Sequence, residues 1–306
     1  MRRATVKRAL LVVTVTASFL APAVAADARV PRCFGERATI VGTNRAEDIR
    51  GTSGDDVIVA LGGADVIEGR GGDDRICGGN GDDRIVAGGG RFDVLFGESG
   101  DDELLGGGGF DVLQGGLGDD SIDGGPGSLD VVSFFASPVG VTADLTAGTA
   151  SGEGSDVLEA VEQVEGSAFD DTLTGDGDAN TFYPGGGDDV LDGGDGLDSV
   201  RYVFAPGPVI VDLTGGTATG DGSDVLTAIE SIDGSDFADV IAGDANPNII
   251  GGGQGNDVIT GADGDDYLFG EDGDDDLDGG VGNDTLDGGD GTDACANGEN
   301  VSNCEG

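Results

Sequence analysis

The sequence predicts an all-β solenoid, a coil of short stacked strands, and three observations predict it. Glycine supplies 63 of 306 residues, about three times ordinary usage. An aspartate recurs at nine-residue intervals with an aliphatic residue two places behind it. A block of 68 residues is repeated downstream, so that Asp130 matches Asp198 (198 − 130 = 68). Glycine at this density otherwise means collagen or disorder. Collagen needs glycine at every third position and far more than the 8 prolines present. Disorder would not hold an aliphatic residue in phase with an aspartate through unit after unit.

The regular part starts at Gly51. Units run Gly51–Val59, Ala60–Glu68, Gly69–Cys77 and Gly78–Val86, then Ala87 reads as one extra residue. The register resumes with Gly88–Phe96, Gly97–Leu105, Gly106–Gln114 and Gly115–Asp123, and a degenerate unit, Gly42–Arg50, precedes the set. The sixth position holds Asp56, Asp65, Asp74, Asp83, Asp93, Asp102, Asp111 and Asp120. The eighth holds Ile58, Ile67, Ile76, Ile85, Leu95, Leu104, Leu113 and Ile122. Glycines at positions one, two and four suit a tight turn, because glycine adopts positive φ without a Cβ penalty. Positions seven to nine then form a short strand whose middle residue points inward. Two units complete one coil turn, which stacks each aspartate on the one a full turn earlier.

Residues 124–191 and 192–259 align at the 68-residue offset, and each contains about 32 residues of different character. Val139 to Leu145, with alternating Val, Thr and Ala, reads as strand and hairpin. The predicted organisation is a cap segment at 26–41, a first repeat run at 42–132 and an insertion at 133–165. A second run follows at 166–201, an insertion at 202–233, a third run at 234–296 and a tail at 297–306.

The first 25 residues read as a signal peptide. Arg2, Arg3, Lys7 and Arg8 precede an apolar stretch from Ala9 to Leu20, and Ala23-Val24-Ala25 provides a small-residue cleavage site. The apolar stretch is too short to span a bilayer comfortably. Export with cleavage near Ala25 is expected. Removal of four basic residues leaves 10 basic and 61 acidic groups, a net charge of −51 (10 − 61). Such a charge excludes nucleic acid and anionic membrane surfaces as electrostatic partners and favours cations.

Among cations, calcium suits a slot walled by carboxylates and carbonyls, since it takes 6–8 hard oxygen ligands in flexible geometry. There is no His, and the four Cys are not paired at metal-binding spacing, so soft metals lack ligands. The nonapeptide G-G-x-G-x-D-x-aliphatic-x resembles the hemolysin-type, or repeats-in-toxin (RTX), calcium-binding repeat, over roughly 42–132 and 166–296. The resemblance implies a right-handed parallel β-roll, or β-helix, with two related β-rich insertions and calcium ions between stacked turns. It carries the ligand position onto Asp56, Asp65, Asp74, Asp83, Asp93, Asp102, Asp111 and Asp120. Downstream it carries onto Asp171, Asp189, Asp239, Asp257, Asp266, Asp275 and Asp284. Glu47, Asn180 and Asn248 depart at the aspartate position, and Arg45, Arg91 and Phe169 displace the fourth glycine, so weak or absent sites are expected there. Asp274, Asp276, Asp278 and Gly279 mimic the opening of an EF-hand loop, but Thr285 stands where its closing Glu belongs.

Four Cys in an exported chain read as two disulfides, with three connectivities possible. Cys295 and Cys304 are close enough to staple the tail, leaving Cys33 and Cys77 to tie the N-terminal segment to the roll as a cap on its open edge. The expected role is an extracellular, non-catalytic calcium binder with a structural, adhesive or ion-binding function and a matrix or cell-surface partner. The alternatives are a calcium-dependent polysaccharide-modifying enzyme and a surface adhesin that uses the roll as scaffold. The absence of His excludes a Ser-His-Asp triad and a zinc-protease helix. With no Trp and 5% aromatic residues, little is left for a sugar-stacking platform.

Overall fold

The computed structural model describes residues 30–127 and 129–304. The signal segment, 1–25, lies outside the described residues. Among the described residues all regular structure is β, in a solenoid of about 15 turns. No helix there is long and apolar enough to cross a membrane.

Each coil turn gives one strand to each of two parallel sheets. The pairing is that of residues one coil turn apart: Ile58 pairs with Ile76 on one sheet, and Ile67 with Ile85 on the other. Every eighth-position side chain therefore sits on its counterpart in the neighbouring turn. Ile58, Ile67, Ile76, Ile85, Leu95, Leu104 and Leu113 are 0% exposed. These residues form a narrow core running the length of the coil. Each such side chain contributes about 1.5–3 kcal/mol by leaving water, and strand alternation turns its two neighbours outward.

The extra residue of the first run is not Ala87. Gly88 pairs with Arg70 and Gly89 with Gly71, which puts Ala87 in the first position of its unit. The added residue lies in the following turn, where the N–H groups of Arg91 and Phe92 both donate to Oδ1 of Asp73. A turn absorbs it without consequence, whereas a residue added to a strand would turn the core face outward.

The two insertions are three-stranded meanders built into one sheet. In the first, Thr142–Asp144, Thr149–Ser151 and Ser155–Glu159 pair antiparallel in sequence. Ser155–Glu159 lies parallel to Ser121–Asp123, and Thr142–Asp144 lies parallel to Thr172–Thr174. The chain thus steps ahead along the sheet and returns before resuming the coil. On the opposite sheet Val131–Ser133 pairs directly with Gln163–Glu165. The second insertion repeats this with Ile210–Asp212, Thr217–Thr219 and Ser223–Thr227. Phe134, Val141, Ala143, Ala150, Leu158 and Val161 extend the core through the first meander.

Both disulfides are present, Cys33–Cys77 and Cys295–Cys304. Of the expected cap segment, the part that the first disulfide anchors lies on a face of the coil rather than over its open end. Arg32–Cys33 and Glu36–Arg37 form a small hairpin against the outer face of a sheet. This strap covers Val57, Val59, Cys77, Val94 and Phe96, a second apolar cluster with Cys33 at its centre. The open end itself is taken by Ile40–Val41, which joins the sheet beside Ile58 and Val59. On this sheet both outward positions of one strand are apolar at Val57 and Val59 and again at Val94 and Phe96, and the strap buries them.

Candidate metal centre

The sixth-position aspartates stand in two columns, one along each edge of the coil where the chain turns from one sheet to the other. Their side chains are buried, Asp93 and Asp111 at 0% exposed and Asp65 and Asp74 at 1%. Except in Asp56, Asp171 and Asp239, whose Oδ1 accepts from the Thr39 hydroxyl and from the N–H groups of Val141 and Val209, Oδ1 accepts the backbone N–H of the sixth-position residue one turn earlier. The N–H of Asp56 donates to Asp74 at 2.8 Å, Asp65 to Asp83 at 2.7 Å, and Asp83 to Asp102 at 2.7 Å. The same bond recurs from Asp239 to Asp257 and from Asp257 to Asp275, both 2.8 Å.

What the second carboxylate oxygen does divides the turns into two classes. In Asp65, Asp74, Asp83, Asp93, Asp102, Asp111, Asp120 and Asp130, Oδ2 is buried with no hydrogen-bond partner. The same holds for Asp189, Asp198, Asp257, Asp266, Asp275 and Asp284. In all fourteen of these open turns the second-position residue has left-handed φ, between 75° and 111°. Arg70 at 85° and Glu98 at 76° adopt it despite carrying a Cβ, a conformation costing about 1–2 kcal/mol. The second-position N–H does not reach the carboxylate.

In the closed turns it does. Thr52 N–H donates to Asp56 Oδ2 at 2.6 Å, Ser167 to Asp171 Oδ2 at 2.6 Å and Ser235 to Asp239 Oδ2 at 2.6 Å. Thr43 reaches Glu47 at 2.6 Å, Asp176 reaches Asn180 at 2.8 Å and Asp244 reaches Asn248 at 2.8 Å. The hydroxyls of Thr52, Ser167 and Ser235 add bonds to the same carboxylates. The second position here is Ser, Thr or Asp, residues that favour local side chain-to-backbone turns.

An orphaned buried carboxylate oxygen costs free energy unless a cation or a proton meets it. Burial pushes Asp93, Asp102, Asp120, Asp130, Asp189 and Asp257 up to about 7. The donated N–H from the turn before pulls in the opposite direction, and neighbouring carboxylates in the column push further up. Asp74, Asp83, Asp198 and Asp266 rise to about 6 for the same reasons. Stacked carboxylates recur at roughly the strand spacing of 4.8 Å, so charge repulsion is built into each column.

The donor set fits a hard cation. Among the described residues no three acidic, His or Cys side chains converge on one point, and no Cys is free. A cation in a column would meet one unpartnered carboxylate oxygen per repeat unit, and its further ligands would be backbone carbonyls. That is calcium chemistry rather than zinc or copper chemistry.

Of the expected ligand residues, Asp56, Asp171 and Asp239 sit in the columns with both oxygens already bonded. The turns of Glu47, Asn180, Asn248, Arg45 and Phe169 are closed, whereas the turn of Arg91 is open. Sequence reasoning passed over Asp130, Asp156, Asp198, Asp224 and Asp293. All five stand in the columns, with Oδ1 accepting from Asp111, Asp120, Asn180, Asp189 and Asp275. The duplication held the clue, since it aligns Asp130 with Asp198 and Asp156 with Asp224. A parallel exposed ladder was also missed: Asp55, Asp73, Asp82, Asp101 and Asp119 at the fifth position each accept an N–H from the next turn.

The family model described as RTX calcium-binding nonapeptide repeat (4 copies) matches residues 41–76, 50–85, 78–113, 96–128, 162–200, 233–268 and 260–295. These matches cover more than half of the chain. No curated protein matches it.

Proposed function

Because the chain belongs to the RTX calcium-binding nonapeptide repeat family, we propose that it is an exported, non-catalytic protein whose roll is set by calcium ions held between stacked turns. The observation that carries this reading is the set of fourteen buried, unpartnered Oδ2 atoms. We assign calcium to those open turns, from Asp65 to Asp130 and at Asp189, Asp198, Asp257, Asp266, Asp275 and Asp284. Bound calcium supplies positive charge to carboxylates that nothing else neutralises. The chain's own residues supply the slot: the column fixes each carboxylate through Oδ1, and the left-handed second position withholds the N–H that would otherwise satisfy Oδ2. Extracellular calcium modules bind at roughly 10⁻⁴–10⁻³ M. At calcium tenfold above such a Kd each site adds about 1.4 kcal/mol, so occupancy of ten sites rivals the whole stability of an ordinary domain.

Export is supported by the N-terminal basic-then-apolar segment and by two disulfides, which persist in oxidising compartments. A non-catalytic role is supported by composition, since the chain has no His. An adhesive role has one observation in its favour. Thr142, Thr172, Val190, Val225 and Thr217 align across five strands on the outer face near the meanders, and Val190 and Val225 are 44% and 48% exposed.

Calcium titration followed by circular dichroism, with calorimetric stoichiometry, tests the calcium reading. Structure gained with calcium is expected, and equal structure in chelator would sink it. Sequencing the N-terminus of the exported protein tests the export reading, with Ala26 expected first.

A further inference from the structure

The six closed turns are not scattered. They occur as three consecutive pairs, Glu47 with Asp56, Asp171 with Asn180, and Asp239 with Asn248, and each pair stands at the head of one repeat run. Two units make one coil turn, so each pair closes one complete turn on both edges of the coil. The chemistry differs from the open turns in a way that bears on the metal-free protein. Every acceptor oxygen that an open turn leaves orphaned is bonded here by the turn's own backbone. In the second and third pairs one of the two residues is an uncharged Asn, which removes half of the local charge.

Each closed pair is also joined to structure outside the repeats. Asp56 Oδ1 accepts from the Thr39 hydroxyl at 3.2 Å, at the end of the strap that Cys33–Cys77 anchors. Asp171 Oδ1 accepts the Val141 N–H of the first meander at 2.6 Å. Asp239 Oδ1 accepts the Val209 N–H of the second at 2.7 Å. Strap and meanders carry their own apolar cores.

Resting on the calcium reading above, we infer that these three coil turns are metal-independent clasps. With the strap or meander beside it, each clasp keeps its shape in calcium-free protein and offers a finished edge on which the open turns of its run stack. Calcium filling then proceeds from the clasp outward. Runs begin at Asp65, Asp189 and Asp257, where the first open carboxylate lies directly on a closed turn: Glu47 donates to Asp65, Asp171 to Asp189 and Asp239 to Asp257. A turn next to a formed turn avoids the nucleation cost that a turn in the middle of a run must meet.

Hydrogen exchange of the full chain, with the disulfides intact, tests this in chelator and at rising calcium. In chelator, amides of residues 43–59, 167–183 and 235–251 are expected to exchange at least about tenfold more slowly than those of 97–123 and 261–287. As calcium is added, protection should reach Asp257 before Asp284. Uniform exchange in chelator, with calcium still binding, would overturn the clasps and leave the calcium reading standing; no binding at all would overturn the latter. A pair of variants separates the two classes further. Asp239→Asn should leave calorimetric calcium stoichiometry unchanged, whereas Asp266→Asn should lower it. A loss of stoichiometry in Asp239→Asn would show that a clasp binds calcium and would overturn the inference.

Discussion

The backbone N–H of Asp83 donates to Oδ1 of Asp102 at 2.7 Å across one coil turn, while Oδ2 of Asp102, equally buried, has no partner. One carboxylate thus welds two turns together with one oxygen and destabilises them with the other. Neutralising the second oxygen without losing the first separates these effects.

Asp102→Asn does so, because an amide oxygen still accepts the Asp83 N–H. In chelator near pH 8 the variant should be more stable than the parent by about 1 kcal/mol, because it removes a buried charge that neighbouring carboxylates repel, although its amide nitrogen lacks a partner as in Asn180 and Asn248. In saturating calcium it should be less stable, having lost a ligand. Thermal unfolding in both media checks the crossover, and a variant destabilised equally in both would refute it.

Proton uptake should substitute for calcium. Asp93, Asp102, Asp120, Asp189 and Asp257 rise from an ordinary 3.8 to about 7 in the folded chain. Their folded values exceed the unfolded ones, so between these limits the folded state binds more protons. Stability of the metal-free roll is then highest near pH 4 and falls as pH rises through 6 to 7. Calcium affinity should run the opposite way, strengthening over the same window as protons leave. Melting in chelator from pH 4.5 to 8 reads the first trend, and a melting point that climbs with pH would contradict it.

Opening Cys33–Cys77 should release the strap. The bridge spans 44 residues of sequence, for which loop-closure entropy gives roughly 4 kcal/mol as an upper figure. The double variant Cys33→Ser/Cys77→Ser should bind a hydrophobic dye, since Val57, Val59, Val94 and Phe96 lose their cover. Stoichiometric calcium binding by Asp189 and Asp257 should be unaffected, because neither lies beneath the strap.

Tyr202 offers a single-atom test of orphaned oxygens. Its hydroxyl donates to Asp224 Oδ2 at 2.9 Å, whereas the 68-residue duplication matches Tyr202 to Phe134 and Asp224 to Asp156. Tyr202→Phe should cost about 1–3 kcal/mol in chelator, and part of that loss should return with calcium. Equal losses with and without calcium would mean that the freed oxygen finds no cation.

The periodic features were legible because they are one-dimensional. A strict nine-residue recurrence requires the eighth-position row of Ile and Leu to be the core, and two units per coil turn place aspartate on aspartate. The two meanders could be read as strands and hairpins, but not the detour by which Thr142–Asp144 precedes Ser155–Glu159 in the chain and follows it in the sheet. Position of the strap was equally hidden, since Cys33 and Cys77 pair identically over a face or an edge.

By itself the sequence determined the repeat, the core row, the stacking interval and the oxygen-only ligand chemistry, all properties of residue type and spacing. Only the tertiary structure decided which aspartates stand open. Asp56 and Asp74 are the same residue at the same place in the repeat, yet one has both oxygens bonded and the other has one. The difference lies two positions into the turn, where Arg70 has left-handed φ and Thr52, like the Ser, Thr or Asp of every closed turn, does not, so that its N–H meets the carboxylate.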